Sequence, residues 1–301
     1  MQRIKMTQII AIAGHKMAGK NTAANFLHGH ILKLNEVIKD YTIDDKGLLY
    51  VETQYIDRDG EVKQEDGLLD LTAQNELFYG WAAQKMWPHI KLYSFADALK
   101  EICVSLFGLT HEQAYGTYKN SVTKLLWEKM PGVITPDKAV ELAYTLSGER
   151  ARFAVMKDTE KEDIEKLSKL FDGVAIIHKP GRMTAREVLQ FVGTEIFRRM
   201  YEPVWTELLM NTIKLEEPGI AVIADCRFDN EAQAVKDNGG IVIRLTRNTE
   251  KDDHVSENGF GDWDNFDLTI DNSKMKISKT HEVLLEFLTH RGITEFVQKG
   301  E

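Results

Sequence analysis

Cysteine is almost missing from this chain. Cys103 and Cys226 are the only two in 301 residues, too few for a disulfide framework or a cysteine-rich zinc site, and they suit a reducing compartment. Basic charge is also short. The 38 Lys and Arg against 47 Asp and Glu leave a net charge of −9. That excludes a protein built to coat DNA or RNA with a basic face, so no stable nucleic-acid binding is expected. A small anionic substrate stays open, because a few local Lys and Arg reverse the field within one cleft. Long apolar runs are absent. Nothing approaches the ~20 residues of a membrane-spanning helix, and Ile9–Ala13, reached after Met1-Gln2-Arg3-Ile4-Lys5, is too short for a signal-peptide core. The expectation is a soluble cytoplasmic protein with no membrane partner. Internal repeats and low-complexity tracts are missing too. What is present, 43 % hydrophobic and 28 % charged residues, is the balance of a globular chain. At this length roughly three quarters of the unfolded surface can be buried, so no staples are needed.

Three zones differ in texture. Residues 7–34 read as strand, glycine-rich turn and helix: Ile9-Ile10-Ala11-Ile12-Ala13 is a short apolar run ended by Gly14, and Ala23, Phe26, Leu27 and Ile31 recur at helical spacing after Gly19. Residues 35–90 form an acidic insertion. Turn signals at Asp45-Lys46-Gly47, Asp59-Gly60 and Asp66-Gly67 flank Leu48–Val51 and Gln54–Ile56, which predicts a surface hairpin. The core resumes with a strand at 90–95 and a helix at 96–107. Residues 109–180, polar and broken by Pro131, Pro136 and Pro180, are a second insertion or a lid. A helix at 184–199 follows, opened by Thr184 with Glu187 three residues on. Then come a helix at 205–215, a strand at 220–224, a helix at 229–237, strands at 241–245 and 267–270, and a last helix near 276–289. Strand–helix alternation at both ends predicts a parallel α/β sheet.

Chemistry concentrates first at Gly14-His15-Lys16-Met17-Ala18-Gly19-Lys20, the Gly-x4-Gly-Lys spacing of a phosphate-binding loop. Glycines let backbone amides turn inward and approach phosphate oxygens. The helix starting near Lys20 aims its positive end at the same anion, and Lys20 reaches the β- and γ-phosphates. An accidental turn is the alternative; the flanking strand and helix favour the loop. Where the full pattern has Ser or Thr to ligate Mg²⁺, this chain has Asn21 and then Thr22. An Asn carbonyl oxygen can bind the ion or a metal-bound water.

A second constellation is the apolar strand Ile220–Ala224 that ends in Asp225-Cys226-Arg227-Phe228-Asp229-Asn230-Glu231. Asp225 there serves either Mg²⁺ or a substrate at the carboxyl end of a strand, or merely caps the next helix. A third comprises Arg182, Arg186, Arg198 and Arg199, with Arg186, Gln190 and Gly193-Thr194 predicted on one helix face. Guanidinium forks bind phosphate, and a solvated basic face is the alternative. Lys100 is a weaker candidate, one turn inside its helix. His254, in Asp253-His254-Val255-Ser256-Glu257, either closes on a nucleotide or belongs to a polar loop. The tryptophans at 81, 87, 127 and 263 read as core.

The loop ending Gly19-Lys20-Asn21-Thr22 resembles that of the deoxynucleoside monophosphate kinases of tailed bacteriophages. Ser94–Lys100, Arg186–Glu195 with Trp205 beyond, Ala224–Glu231, and Arg247 followed by Asp253–Glu257 are similar too, in the right order. Asn21 departs from the family's usual Asp. The resemblance implies a single domain with the three-layer P-loop NTPase fold, a parallel sheet between helices, interrupted at about 35–90 and about 109–180. It implies transfer of phosphate from ATP, with Mg²⁺, to deoxynucleoside monophosphates, in the host cytoplasm if the chain is viral, and by a homodimer. Carried over residue by residue, Gly14, His15, Lys16, Met17, Ala18, Gly19, Lys20, Asn21 and Thr22 hold the ATP phosphates, with Arg247 on the same nucleotide. Lys16, Lys100, Arg186, Gln190, Gly193, Asp225, Arg227 and Glu231 surround the acceptor, and Thr194 and Trp205 lie near its base or sugar. Lys20, Arg186 and Arg227 carry catalysis, and Asn21 and Asp225 hold the metal, directly or through water. Region 109–180 or loop 246–262 supplies a lid that keeps water from the transferred phosphate. Two rivals remain: a phosphomevalonate-kinase-like small-molecule kinase, and a nucleotide-sensing ATPase module with no acceptor.

Overall fold

The computed structural model describes residues 7–56, 62–73, 75–116, 118–147, 165, 168–247 and 260–293. They fall into two compact units, Met1–Asp97 with Pro203–Glu301, and Ala98–Glu202. The first unit opens with strand β1 (Gln8–Gly14) and helix α1 (Lys20–Leu34), as the apolar run and the 3.6-residue period predict. Strands β2 (Tyr41–Ile43), β3 (Leu49–Ile56) and β4 (Val62–Leu68) then form an antiparallel sheet in the order β2-β3-β4, and β5 is Ile90–Tyr93.

The three-stranded sheet corrects the predicted hairpin. Both of its supposed strands belong to β3, and Asp66-Gly67, read as a turn, lies inside β4 opposite Glu52 and Val51. Ladder pairing with β3 overrides the local turn preference of Asp-Gly. The turn at 44–48 is real, and it has a job. Asp44 Oδ1 accepts from the amides of Lys46 and Leu48, at 2.9 and 2.8 Å. The Gly47 carbonyl accepts from Asn25 Nδ2 of α1 at 2.7 Å. Gly47 has φ +80°, and a Cβ there would lie 2.0 Å from Thr22 Oγ1. Gly47→Ala is therefore expected to destabilise the fold by about 1–3 kcal/mol through left-handed strain and overpacking. Urea unfolding checks this; an unchanged midpoint would mean that the turn lifts off α1 at no cost.

The second unit has two small sheets and its own core. β6 (Val122–Leu126) pairs antiparallel with β9 (Arg182–Thr184), and β7 (Val133–Ile134) pairs parallel with β8 (Ile176–Ile177). Cys103, Leu109, Met183, Ala185, Val188, Phe191 and Val192 are buried together. The Trp127 ring stacks on His178 at 3.9 Å and meets Phe191 edge-on.

Back in the first unit, β10 (Ile220–Cys226), β11 (Ile241–Leu245) and β12 (Leu268–Ile270) complete a five-stranded sheet in the order β12-β11-β1-β10-β5, parallel throughout. Alternation divides its side chains between two cores. Ile10, Ile12, Val222, Ala224, Ile243 and Leu245 pack with α1 and with Leu284 and Leu288 of helix Ile277–His290. Ile9, Ala11, Ala13, Ala221, Ile223 and Val242 pack with Leu209, Met210 and Ile213 of helix Val204–Glu216 and with Ala232 and Val235 of helix Asp229–Asp237. Helices on both faces explain why Ile9–Ala13 of β1 and Ile220–Ala224 of β10 are apolar without interruption. Among the described residues no helix is long and apolar enough to cross a membrane.

Two histidines lie inside this unit. His28 is fully buried, with Nδ1–H donating to the Ala24 carbonyl at 2.9 Å. His281 stacks on Phe26 with ring centroids 4.2 Å apart. Burial pulls both rings down from 6.5 to about 4. Between those pH values the unfolded chain binds more protons than the fold, so stability is full above pH 6.5 and falls as pH drops toward 4. The melting temperature is expected to decline across that window. A flat profile would mean that these rings charge without unfolding the protein.

Candidate active site

Because the sheet is parallel, the carboxyl ends of all five strands lie along one edge, where open α/β sheets bind their ligands. β1 ends there in the glycine loop. Gly14 has φ +145°, and a Cβ on it would lie 2.5 Å from the Leu245 carbonyl oxygen of β11. Gly19 has φ +95° and leads directly into α1. Between them Met17, 77 % exposed, holds φ +62°, an uncommon conformation for a bulky residue. Periodicity gives no sign of it. Lys20 folds back over the loop: its Nζ donates to the Gly14 and His15 carbonyls, each at 2.7 Å, and only 7 % of the residue is exposed. Lys16 and Asn21 are exposed, and Ala18 is buried. Thr22 faces the Gly47 turn, so Asn21 is the residue presented at the position after Lys20.

Gly14→Ala is expected to cost the loop its shape, since both the φ and the close approach to β11 need a missing side chain. A drop of at least tenfold in nucleotide affinity by calorimetry checks this; unchanged affinity would show that the loop is not the binding element.

β10 runs beside β1, with Ala13 opposite Cys226. Asp225, at its end, does not cap the following helix. Its carboxylate accepts from Ser94 Oγ at 2.5 Å, from the Phe95 amide at 3.0 Å and from the Ala96 amide at 3.4 Å. It thus holds the turn that opens helix Asp97–Ser105. The capping belongs to Glu231, 3 % exposed, whose Oε2 accepts from the amides of Arg227 and Phe228 at 2.8 and 3.2 Å. Arg227 is half-buried, on a backbone that Glu231 fixes. Cys226 is buried, and burial and the neighbouring Glu231 and Asp225 carboxylates push its thiol well up. Trp205 is buried in its helix, and Arg247 follows β11. His254 lies outside the described residues.

The remaining candidates belong to the second unit. Thr184 and Glu187 form the predicted capping box. After Gln190 the helix widens to i→i+5 bonding over Phe191–Arg198. Arg186, Gln190 and Thr194 are exposed. Gly193, expected on the same face, is instead buried against Leu99, whose Cδ2 lies 2.7 Å from the place of a Cβ. The widened helix and the missing side chain turn that position inward. Arg186 Nε donates to Asn120 Oδ1 at 3.2 Å, Arg199 Nη2 donates to the Gly173 carbonyl at 2.6 Å, and the Lys100 ammonium lies 4.8 Å from the Tyr115 ring centre.

Comparison with known proteins decides what this edge belongs to. The family model for deoxynucleotide monophosphate kinase matches residues 93–279. This chain belongs to the deoxynucleotide monophosphate kinase family. Among relatives, the deoxynucleoside-5'-monophosphate kinase of Escherichia phage T5 is 33 % identical over 87 residues, 26 % of this chain and 35 % of that enzyme. A protein of Acanthamoeba polyphaga mimivirus, provisionally named a deoxynucleotide monophosphate kinase, is 26 % identical over 195 residues, 60 % of this chain and 74 % of its own. The phage match thus spans about a third of its enzyme.

Within the kinase family match lie Ser94, Lys100, Arg186, Gln190, Trp205, Asp225, Arg227, Glu231 and Arg247; the glycine loop lies before it. Two participants escaped sequence reasoning. Ser94 was legible only as part of a resemblance, not as a partner of Asp225. Asn272, just beyond β12, donates from Nδ2 to the Ala18 carbonyl at 2.8 Å, and a single Asn 254 positions away carries no sequence signal.

Proposed function

We propose that this chain transfers the γ-phosphoryl group of ATP to deoxynucleoside 5'-monophosphates, giving the diphosphates and ADP. One observation supports this most: within a family member, the strand entering the glycine loop pairs with the strand that ends in Asp225-Cys226 and is followed by Arg227, Ala13 opposite Cys226. The glycine loop and the Asp225 and Arg227 charges lie at one sheet edge, which supports reading the loop as a phosphate cradle.

The chemistry asks for positioning and charge neutralisation. An oxygen of the acceptor phosphate, already a nucleophile, attacks the γ-phosphorus. The bond from that phosphorus to the β-bridging oxygen breaks, and the electron pair leaves on ADP. The 14–20 loop offers its amides and the α1 N-terminus to the donor phosphates. The Lys20 ammonium, held at the loop by the Gly14 and His15 carbonyls, neutralises charge on the transferring group. Arg227 gives a guanidinium to the acceptor phosphate from a backbone that Glu231 holds. Asp225, through Ser94, Phe95 and Ala96, keeps the adjoining turn in place. On the second unit, Arg186, Gln190 and Thr194 are exposed and carry guanidinium, amide and hydroxyl groups, which suit an anionic nucleotide.

Magnesium takes oxygen ligands, keeps several waters and binds through one or two protein groups plus phosphates. Exposed Asn21 and the Asp225 carboxylate fit that description, with Asp225 acting through water because its oxygens already accept hydrogen bonds. Among the described residues no group of three or more His, Cys, Asp or Glu could hold a metal ion. Bound through Asn21 and Asp225, magnesium supplies Lewis acidity to the phosphate oxygens.

The test is ADP release from ATP and Mg²⁺ with dAMP, dGMP, dCMP, dTMP, 5-hydroxymethyl-dCMP, the matching ribonucleotides and phosphomevalonate. Turnover with one or more deoxynucleotides is expected. Turnover with phosphomevalonate alone, or ATP hydrolysis indifferent to every acceptor, would sink the proposal.

A further inference from the structure

Asn272 poses an energetic question. The residue is 2 % exposed. Ala18 O can only accept, so the amide nitrogen faces it, at 2.8 Å, and the amide oxygen points the other way. That oxygen, Oδ1, is buried and meets no donor among the described residues. A buried acceptor without a donor costs stability that an apolar residue of the same size would not cost. Packing alone therefore does not account for an asparagine here. The side of the amide that is satisfied must do something a leucine cannot.

What it does follows from peptide geometry. The Ala18–Gly19 peptide is trans, so its C=O and N–H point in opposite directions across one rigid plane. Pinning the Ala18 oxygen to the buried Asn272 amide turns the Gly19 N–H away from the interior. Gly19 sits at φ +95°, and the place of its missing Cβ is 3.4 Å from Asn272 Nδ2. Asn272 thus underlies the last peptide before Lys20 and α1. Its own position is fixed from both sides. Its carbonyl accepts from the Met275 amide at 3.4 Å, and β12, which it follows, bonds through Ile270 O to the Thr246 amide at 3.0 Å.

We propose that Asn272 is a positioning residue for donor-phosphate binding: its Nδ2 locks the Ala18–Gly19 peptide so that the Gly19 N–H is presented to a phosphate oxygen. This rests on the phosphate-loop reading of residues 14–20. Without the lock the peptide is free to rotate, and the loop loses one preorganised donor out of its cradle.

The test uses inorganic tripolyphosphate, which has phosphates and no base, beside ATP. Asn272→Leu keeps the volume and removes the donor; Asn272→Asp keeps the shape and turns an oxygen toward the Ala18 carbonyl. In both, affinity for tripolyphosphate by calorimetry is expected to fall at least tenfold and KM for ATP to rise by a similar factor. KM for the deoxynucleotide should stay within twofold, and Asn272→Leu should melt within a few degrees of wild type. Tripolyphosphate binding within twofold of wild type in both variants overturns the proposal, and so does weakened ATP binding with tripolyphosphate unaffected, which would place Asn272 on the base. In ¹⁵N spectra of the wild-type protein, tripolyphosphate should also shift the Gly19 amide among the largest; an unmoved Gly19 overturns the proposal even if neither variant folds. A wild-type chain that phosphorylates deoxynucleotides while the variants bind normally would sink the Asn272 role alone. A wild-type chain that binds neither ATP nor tripolyphosphate removes the loop reading beneath it.

Discussion

Lys20→Ala should lower ATP-dependent phosphorylation of deoxynucleotides by at least a hundredfold. Lys20 is 7 % exposed as a residue, and its ammonium lies on two loop carbonyls at 2.7 Å each, so it is held within the glycine loop before any nucleotide arrives. A cation already held in place stabilises charge on a transferring phosphoryl group better than one that must be ordered during the reaction. Removing one such contact typically costs a factor of ~10²–10³, or about 3–4 kcal/mol. The loss should fall mainly on kcat, because Lys20 acts on charge that grows in the transition state while the loop amides still bind the ground state. Steady-state kinetics with saturating ATP reads this directly. Because Lys20 also braces the loop, the melting temperature must be measured beside it. Lys20→Met, which keeps most of the apolar stem, should show the same kinetic loss with less destabilisation. Activity within tenfold of wild type in Lys20→Met would remove Lys20 from the chemistry.

Asp225→Asn has the second large expectation, a fall of about a hundredfold in kcat/KM for the deoxynucleotide. The carboxylate accepts from a hydroxyl and two amides of 94–96. An amide in its place must turn an NH₂ group toward at least one of those donors. Leaving such a group unsatisfied costs about 1–3 kcal/mol, so some stability is lost as well. The distinguishing readout is magnesium dependence. If Asp225 holds water around the ion, the variant needs more Mg²⁺ for half-maximal rate. If Asp225 only pins the turn, stability falls while the magnesium response matches wild type, and the metal role is lost.

The sequence declared the central sheet and its helices well, because their signals are physical and local. Ile9–Ala13 and Ile220–Ala224 are uninterrupted apolar runs since both sheet faces are covered. Helix Asp229–Asp237 and strand β11 fall within a residue or two of their predicted limits. The residues of the glycine loop were legible from spacing, but the left-handed Met17 and the fold-back of Lys20 were not, since they depend on how the loop closes. The β2–β4 sheet was misread because Asp-Gly favours a turn in isolation, whereas position 66–67 is set by the ladder to β3. Gly193 was placed on the wrong face because a 3.6-residue period was assumed where the helix widens. Ser94 and Asn272 act through single hydrogen bonds to residues 131 and 254 positions away, and one polar residue at the end of a strand announces no partner.

The register of β1 has a consequence for how the chain is made. Gln8 pairs with Ile220, and Ile10 pairs with Ile241, so β1 is made more than two hundred residues before either strand it pairs with. At ~5–20 residues per second, a ribosome needs on the order of ten to forty seconds to reach β10 after β1 has been made. Throughout that interval Ile9–Ala13 is an apolar segment with both ladder edges open, the kind of segment chaperones hold and aggregates recruit. Slow translation across 98–202 would lengthen this exposure, so the yield of soluble protein should respond to codon choice in a region whose described strands all lie outside the central sheet.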